Sequence, residues 1–207
     1  MRLKLYNGAL RELGERRLSS LSEEVPARYD LDEVWDNGFI RDALERGLWN
    51  FAARTSELNY TGDINPEFGY RYAFEKPVDW VRTAKLCTDE WFRNPLRMVE
   101  DQQNYWFCDL DKIYVSYISD DDAYGSDFGL WPVSFTRWAE AYLAFKIAPR
   151  VAPKKEKDAF DKQKKFLTEA RSRDAMNDAS GVLPEGSWTR SRRARRNFER
   201  TGNQLIG

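Results

Sequence analysis

Histidine is absent from this chain of 207 residues. Its absence removes Ser-His-Asp and Cys-His catalysis, histidine-ligated metal and imidazole pH switching together. Cysteine is nearly as scarce. Cys87 and Cys108 are too few for a four-thiolate zinc site and read as reduced core or strand residues, with a strand-to-strand disulfide as the alternative. No apolar run approaches membrane-spanning length and the N-terminus lacks a signal-peptide core, so a soluble protein made in the cytoplasm is expected. Neither G-x-x-x-x-G-K-[ST] nor G-x-G-x-x-G occurs, which leaves out the phosphate loops those motifs build. Net charge is -1 although 32% of residues are charged, so the molecule as a whole expresses no electrostatic preference for a partner.

What is present is apolar and aromatic. The 42% hydrophobic and 14% aromatic content is that of a folded chain, and the length suits one domain with a smaller insert. Residues 26–58 stand out. Leu31, Val34, Trp35, Ile40, Ala43, Leu44, Gly47, Leu48, Phe51 and Ala52 recur at three- and four-residue steps, the period of a buried helical face. The spacing predicts one long helix starting near Pro26 or Asp30, with Gly38 and Gly47 inside it marking close approach of another backbone or tolerated noise. Before it, Leu3, Tyr6, Leu10 and Leu13 predict a short helix ended by Gly14.

After a loop at 59–69 the period switches. Segments 70–74, 81–88, 96–100, 105–108 and 112–118 are short, aromatic or β-branched, and separated by turn residues; they predict a small antiparallel sheet. In the last of them Ile113, Val115 and Tyr117 alternate with Tyr114, Ser116 and Ile118, a strand covered on both faces. Asp120, Asp121 and Asp122 follow. Without the glycine and terminal glutamate of an EF-hand they read as a solvated acidic loop rather than a calcium site. Helical spacing returns at Val133. Trp138, Ala141, Tyr142, Phe145 and Ala148 line one face and apolar residues cover much of the rest, which predicts a buried helix packed on the long one and ended by Pro149 and Pro153. Residues 154–179 form a wetter last helix with a seam of Ala159, Phe160, Gln163, Leu167 and Ala170. The expected fold is α+β: a mainly α-helical bundle from residues 1–58 and 131–180, an inserted small antiparallel β-sheet at 70–118, and an extended C-terminal arm at 185–207.

That arm is a different kind of sequence. Arg190, Arg192, Arg193, Arg195, Arg196 and Arg200 against Glu185 and Glu199 give it a formal +4, while residues 1–184 carry -5. With few apolar residues beyond Trp188, Phe198, Leu205 and Ile206, it is expected to order only on a partner. Three readings stay open: a grip on nucleic-acid phosphates, a docking arm that pairs guanidiniums with a neighbour's carboxylates and anchors through Trp188, or a solvated tail. Elsewhere, Glu24, Asp63, Glu67, Asp79, Glu90 and Glu140 supply carboxylates for a histidine-free hydrolase, but no spacing singles out a pair, and surface charge is the better reading. Trp35, Trp49, Trp138 and Tyr142 fall on predicted core faces; Trp80, Trp91 and Trp106 lie on or near strands, where they can face solvent or a subunit. No catalytic, metal or cofactor residues are assigned.

The order of segments carries one more reading. LYNGALRELGERRLSSLSEE, LDEVWDNGFIRDALERGLWNFAARTSEL, YRYAFEKPVDWVRT, DKIYVSYISDD and FTRWAEAYLAFKIAPRVA together resemble the head-to-tail adaptor family of tailed phages, the tail tubular protein A or gatekeeper-like proteins. The similarity spans about residues 3–180. YNGALRELGE, the W-x-x-G spacing after Trp35, and Phe74, Pro77, Asp79 and Arg82 carry most of it. The resemblance implies a non-enzymatic virion protein of the neck or tail, assembled in the host cytoplasm. It implies a homo-oligomeric ring, typically twelve-fold, beneath the portal protein and above a downstream tail or nozzle protein, with genomic DNA passing through the channel. By the same analogy the segment with Trp188 and the six arginines is a portal-docking arm. The alternative is a nucleic-acid-binding protein that uses this Arg-rich tail.

Overall fold

A computed structural model of the chain describes residues 1–62, 64, 66 and 69–177. Helix α1 spans Arg2–Leu13, α2 Pro26–Asp36 and α3 Phe39–Glu45. A 3-10 turn at Asn50–Ala52 leads into strand β1, Ala53–Asn59, followed by β2 Tyr72–Glu75, β3 Trp80–Cys87, β4 Glu100–Asp101, β5 Tyr105–Cys108 and β6 Lys112–Ser119. Helix α4, Val133–Val151, and α5, Glu156–Met176, close the described chain, joined by a 3-10 turn at Pro153–Lys155. The architecture is α+β.

Helix α1 ends as its sequence predicts. Gly14 takes φ +70° and its N–H bonds Arg11 O, while Glu15 N bonds Leu10 O at 2.9 Å, so the last carbonyls are satisfied by a left-handed glycine cap. Helix α4 is apolar nearly all round, with Phe135, Trp138, Ala139, Ala141, Leu143, Ala144, Ile147 and Ala148 buried. It lies chiefly between α1 and α5, with α2 a lesser neighbour. The expectation that it packs on one long helix is therefore corrected. Pro149 does not end α4 but sits inside its final turn, where a fixed φ near -65° is helical and only the hydrogen bond to Phe145 O is forfeited.

The largest correction concerns residues 26–58. They form two helices, a 3-10 turn and a strand instead of one helix. Gly38 breaks the helix at φ +86°, accepting a bond from Asp42 N as α3 begins, and a Cβ there would meet nothing within 4 Å. Its role is the turn, not close packing. At Gly47 a Cβ would stand 2.7 Å from the Trp49 ring, so this glycine makes room for the chain's own tryptophan. Trp49 is buried, stacks beside Trp138 with centroids 6.2 Å apart, and donates to Ala43 O. Leu44 joins the same core, whereas Leu48, expected there, is 50% exposed. From Ala53 the backbone pairs antiparallel with β6, Ala53 opposite Ile118 through Asn59 opposite Lys112. Seven residues of cross-strand pairing hold Ala53–Asn59 extended, so the helical spacing that runs to Phe51 and Ala52 stops at the 3-10 turn.

The strands make two three-stranded antiparallel sheets, β1-β6-β3 and β2-β5-β4, where one sheet was expected. Of the segment 96–100 only Glu100 enters a strand. Phe74, Trp106 and Cys108 of one sheet meet Ile113, Val115 and Tyr117 of the other in a small second core. Ile118 and Val81 turn instead into the helical core, so β6 is covered on both faces toward its C-terminal end, as its alternation predicts. Cys87 and Cys108 are buried free thiols, and burial raises the pKa of each.

Candidate interaction surfaces

Trp188, Arg190, Arg192, Arg193, Arg195, Arg196 and Arg200 lie outside the described residues, as do Asp63 and Glu67. Of the other candidate carboxylates, Glu24 and Glu90 are exposed and separate, while Asp79 and Glu140 are drawn into two distinct staples. Among the described residues no group of three or more His, Cys, Asp or Glu could hold a metal, and no helix is long and apolar enough to cross a membrane.

The first staple joins α1 to α4. The Glu140 carboxylate folds over Gly8, where an added Cβ would stand 2.1 Å from the carboxyl carbon. Arg11 Nη2 donates to Glu140 Oε2 at 2.9 Å. Burial raises the Glu140 pKa, opposed by the Arg11 charge. Other residues of the YNGALRELGE segment work alongside. Tyr6 OH donates to Asp32 at 2.9 Å, Asn7 holds both the N–H and C=O of Leu18 at 2.7 and 3.0 Å, and Lys155 Nζ donates to Leu13 O at 2.6 Å. Nearly every position of that segment has a packing or hydrogen-bonding task.

The second staple fixes the sheets to the helices. Asp79 sits in the turn from Pro77 to Trp80, next to its tip, Val78, which is 99% exposed. Its carboxylate accepts from Arg54 at 2.8 Å, from Ser119 Oγ at 2.5 Å, and from the Tyr117 hydroxyl at 3.2 Å to each oxygen. Burial acts to raise its pKa, but the Ser119 and Arg54 bonds and the Arg54 charge outweigh it and hold the group below its ordinary value. Desolvation beside that carboxylate pushes the Tyr117 phenol up. Two arginines then tie β3 to α3: Arg82 donates to Glu45 O at 3.0 Å, and Arg41 of α3 donates to Trp80 O at 2.7 Å while pairing with Asp120 at 3.0 Å. The Phe74, Pro77, Asp79, Arg82 segment is thus one device, with Phe74 in the sheet core, Asp79 as hub and Arg82 as the tie to α3. Sequence reasoning listed Asp79 without finding its partners, since Arg54 and Ser119 lie on other strands.

The acidic loop is occupied with itself. Asp121 Oδ1 accepts from Ala123 N, and its carbonyl accepts from Tyr124 and Ser126 N. Burial raises the Asp120 pKa against the opposing Arg41 charge. Lys76 was missed altogether. Its ammonium sits 3.6 Å from the Trp80 ring centroid, 5.3 Å from that of Trp106, and 2.5 Å from Asp101.

Of the three strand-region tryptophans, Trp106 is buried, Trp80 is partly covered by Lys76, and Trp91 is 66% exposed. Trp91 sits on the loop after β3. Asp89 accepts from Arg93 N and Asn94 N at 3.1 and 2.7 Å, and Phe92 takes φ +54°. Met98, 68% exposed, lies farther along that loop with Arg97. Trp, Met and Arg on a hydrogen-bonded tip are the residue types enriched where proteins meet. The chain thus offers two hydrogen-bonded junctions and an exposed sheet-side tip. Neither protein-family models nor curated protein sequences yield a match to it.

Proposed function

We propose that the chain is a structural subunit of a tailed-phage virion: a head-to-tail adaptor that forms a homo-oligomeric ring below the portal, connects it to the next tail protein, and lets DNA pass through the channel. One observation carries the reading. The two segments that carry most of the resemblance each hold a structural junction, YNGALRELGE docking α1 on α4 and Phe74 to Arg82 fastening the sheets to α3. Such a body holds its shape while force and partners act at its ends, which suits a ring component. The exposed Trp91 tip belongs on this reading to a subunit or tail-protein contact. Residues 185–207 dock on the portal through Trp188 and the six arginines. Linking each subunit by its arm to a common platform raises the effective concentration of the ring contacts, so a weak ring interface suffices. The function calls for no catalytic step.

Portal binding by the full chain, compared with a chain lacking residues 185–207, tests this assignment. Loss of binding with the arm supports it, and undiminished binding removes the arm as anchor. The arm's +4 charge favours one second reading, nucleic-acid binding. Tight, salt-sensitive and arm-dependent binding of the free subunit to random duplex DNA would select that reading instead.

A further inference from the structure

A strand at the margin of a sheet presents unpaired N–H and C=O groups, and folded proteins ordinarily blunt such edges. Among the described residues, three of the four sheet edges are blunted, each differently. Strand β3 has register breaks between Trp80 and Arg82 and between Thr83 and Lys85, and its far end is overlaid by Leu96 N bonding Leu86 O at 2.8 Å and a bridge between Cys87 and Pro95. Strand β2 is capped by Thr61, whose N–H bonds Ala73 O at 2.7 Å and whose hydroxyl accepts from Glu75 N. Strand β4 is two residues long and both are acidic.

Among the described residues, strand β1 has none of these protections. It runs seven residues in unbroken register with β6, contains no proline or lysine, and no residue of it is buried. Its two charges are taken up by near neighbours: Arg54 pairs with Asp79 in the turn before β3 at 2.8 Å and Glu57 with Lys112 of β6 at 2.6 Å. Among the described residues β6 is the one strand that pairs with it, so along its outer side the backbone groups of alternate residues have no ladder partner.

We propose that the free edge of β1 is a docking site for an extended segment of another protein, added to the β3-β6-β1 sheet as a fourth strand. A row of alternating amide donors and carbonyl acceptors is matched by another polypeptide backbone and not by a nucleic acid or a lipid surface. A second copy of this chain is the poorer fit. Its other described edges are blocked, and antiparallel self-pairing centred on Ser56 sets Arg54 opposite Leu58 and Thr55 opposite Glu57, with no ion pair or apolar contact to hold it. The incoming strand meets small or polar side chains at Ala53, Thr55 and Asn59. It meets one half-buried apolar neighbour, Leu58, so a segment with an apolar residue at that end fits best. Nothing in this geometry depends on the chain being an adaptor.

The test uses the immobilised full chain and a displayed library of unstructured ten-residue peptides as probe. Hydrogen exchange on the free chain first identifies which β1 amides face outward. Selected peptides are expected to slow those amides about tenfold or more. Of Thr55→Pro and Ser56→Pro, the variant that removes an outward amide is expected to keep its melting temperature and bind the peptides at least about tenfold more weakly. Glu100→Lys, on the blunted β4 edge, is expected to bind as the parent does. Selected peptides that leave β1 exchange unchanged, or a folded proline variant that binds normally, would overturn the proposal. So would a free chain that is already dimeric with its outward β1 amides protected, since that edge would then belong to self-pairing.

Discussion

Glu140 and Asp79 are the same functional group at two junctions, and their surroundings drive them in opposite directions. Glu140 lies in the helical layer, pressed over Gly8, with one donor, Arg11, whose side chain is 56% exposed. Burial dominates and its pKa rises. Asp79 lies where strands meet helices, with Arg54, Ser119 and Tyr117 all donating to it, and the bonds overcome burial so its pKa falls. The helical junction is held by shape, with charge tolerated in it. The sheet junction is held by hydrogen bonds to a charge. The cores differ in the same sense. The helical core gathers Trp49, Phe135, Trp138, Leu5, Leu10, Leu31 and Leu44, whereas the core between the sheets has six fully buried members and relies on its ties to α3.

The contrast can be broken at its strongest point first. Trp138→Ala empties the centre of the helical core and is expected to cost about 3–5 kcal/mol, read as a loss of global stability in denaturant melts. Gly8→Ala should cost about 1–3 kcal/mol, because the new methyl displaces a carboxylate that Arg11 and burial hold in place. If shape is the cause, Gly8→Ala combined with Glu140→Ala will recover part of that loss, and a double-mutant cycle measures the recovery. Asp79→Asn keeps the volume but removes the charge that Arg54 faces, at an expected cost of about 1–3 kcal/mol. Its signature is local: faster exchange in β1, β3 and β6 with α1 and α4 unchanged.

Titration separates the two carboxylates by sign. Asp79, depressed on folding, contributes stability that is fully present above its unfolded value of about 3.9 and is lost as pH falls through the lower folded value. Asp79→Asn should therefore flatten part of the acid-side decline. Glu140, raised on folding, works the other way. Its folded form prefers the proton, so its contribution declines as pH climbs from its unfolded value of about 4.3 through the raised folded value. Glu140→Gln should remove that decline, which equilibrium melts across pH 3 to 8 can register. The smallest effect is expected at the tip, where Trp91→Ala should change stability by no more than about 0.5 kcal/mol while weakening whatever contact the loop makes.

The same division governs what could be read from the residues alone. Helix α1 with its Gly14 cap, the buried α4 and strands β3, β5 and β6 were legible because each carries its own period or stop residue. Strand β1 was not. Arg54 to Asn59 show no marked strand pattern, and what makes them a strand is β6, more than fifty residues later. The two staples were hidden for the same reason. Gly8 means little until Glu140 arrives, and Asp79 is one carboxylate among many until β1 and β6 bring Arg54 and Ser119 to it. Gly38 shows the converse error: a glycine inside a convincing apolar stripe was in fact the break in it. The arginine arm, conspicuous in composition, lies outside the described residues, so its role rests on sequence and on experiment.

Electron microscopy of the full chain mixed with the portal protein proposed as its partner tests the adaptor assignment most directly. The account predicts closed rings of this subunit stacked coaxially on the portal, with the channel continuous through both. A chain that remains monomeric and unbound beside intact portals would contradict it.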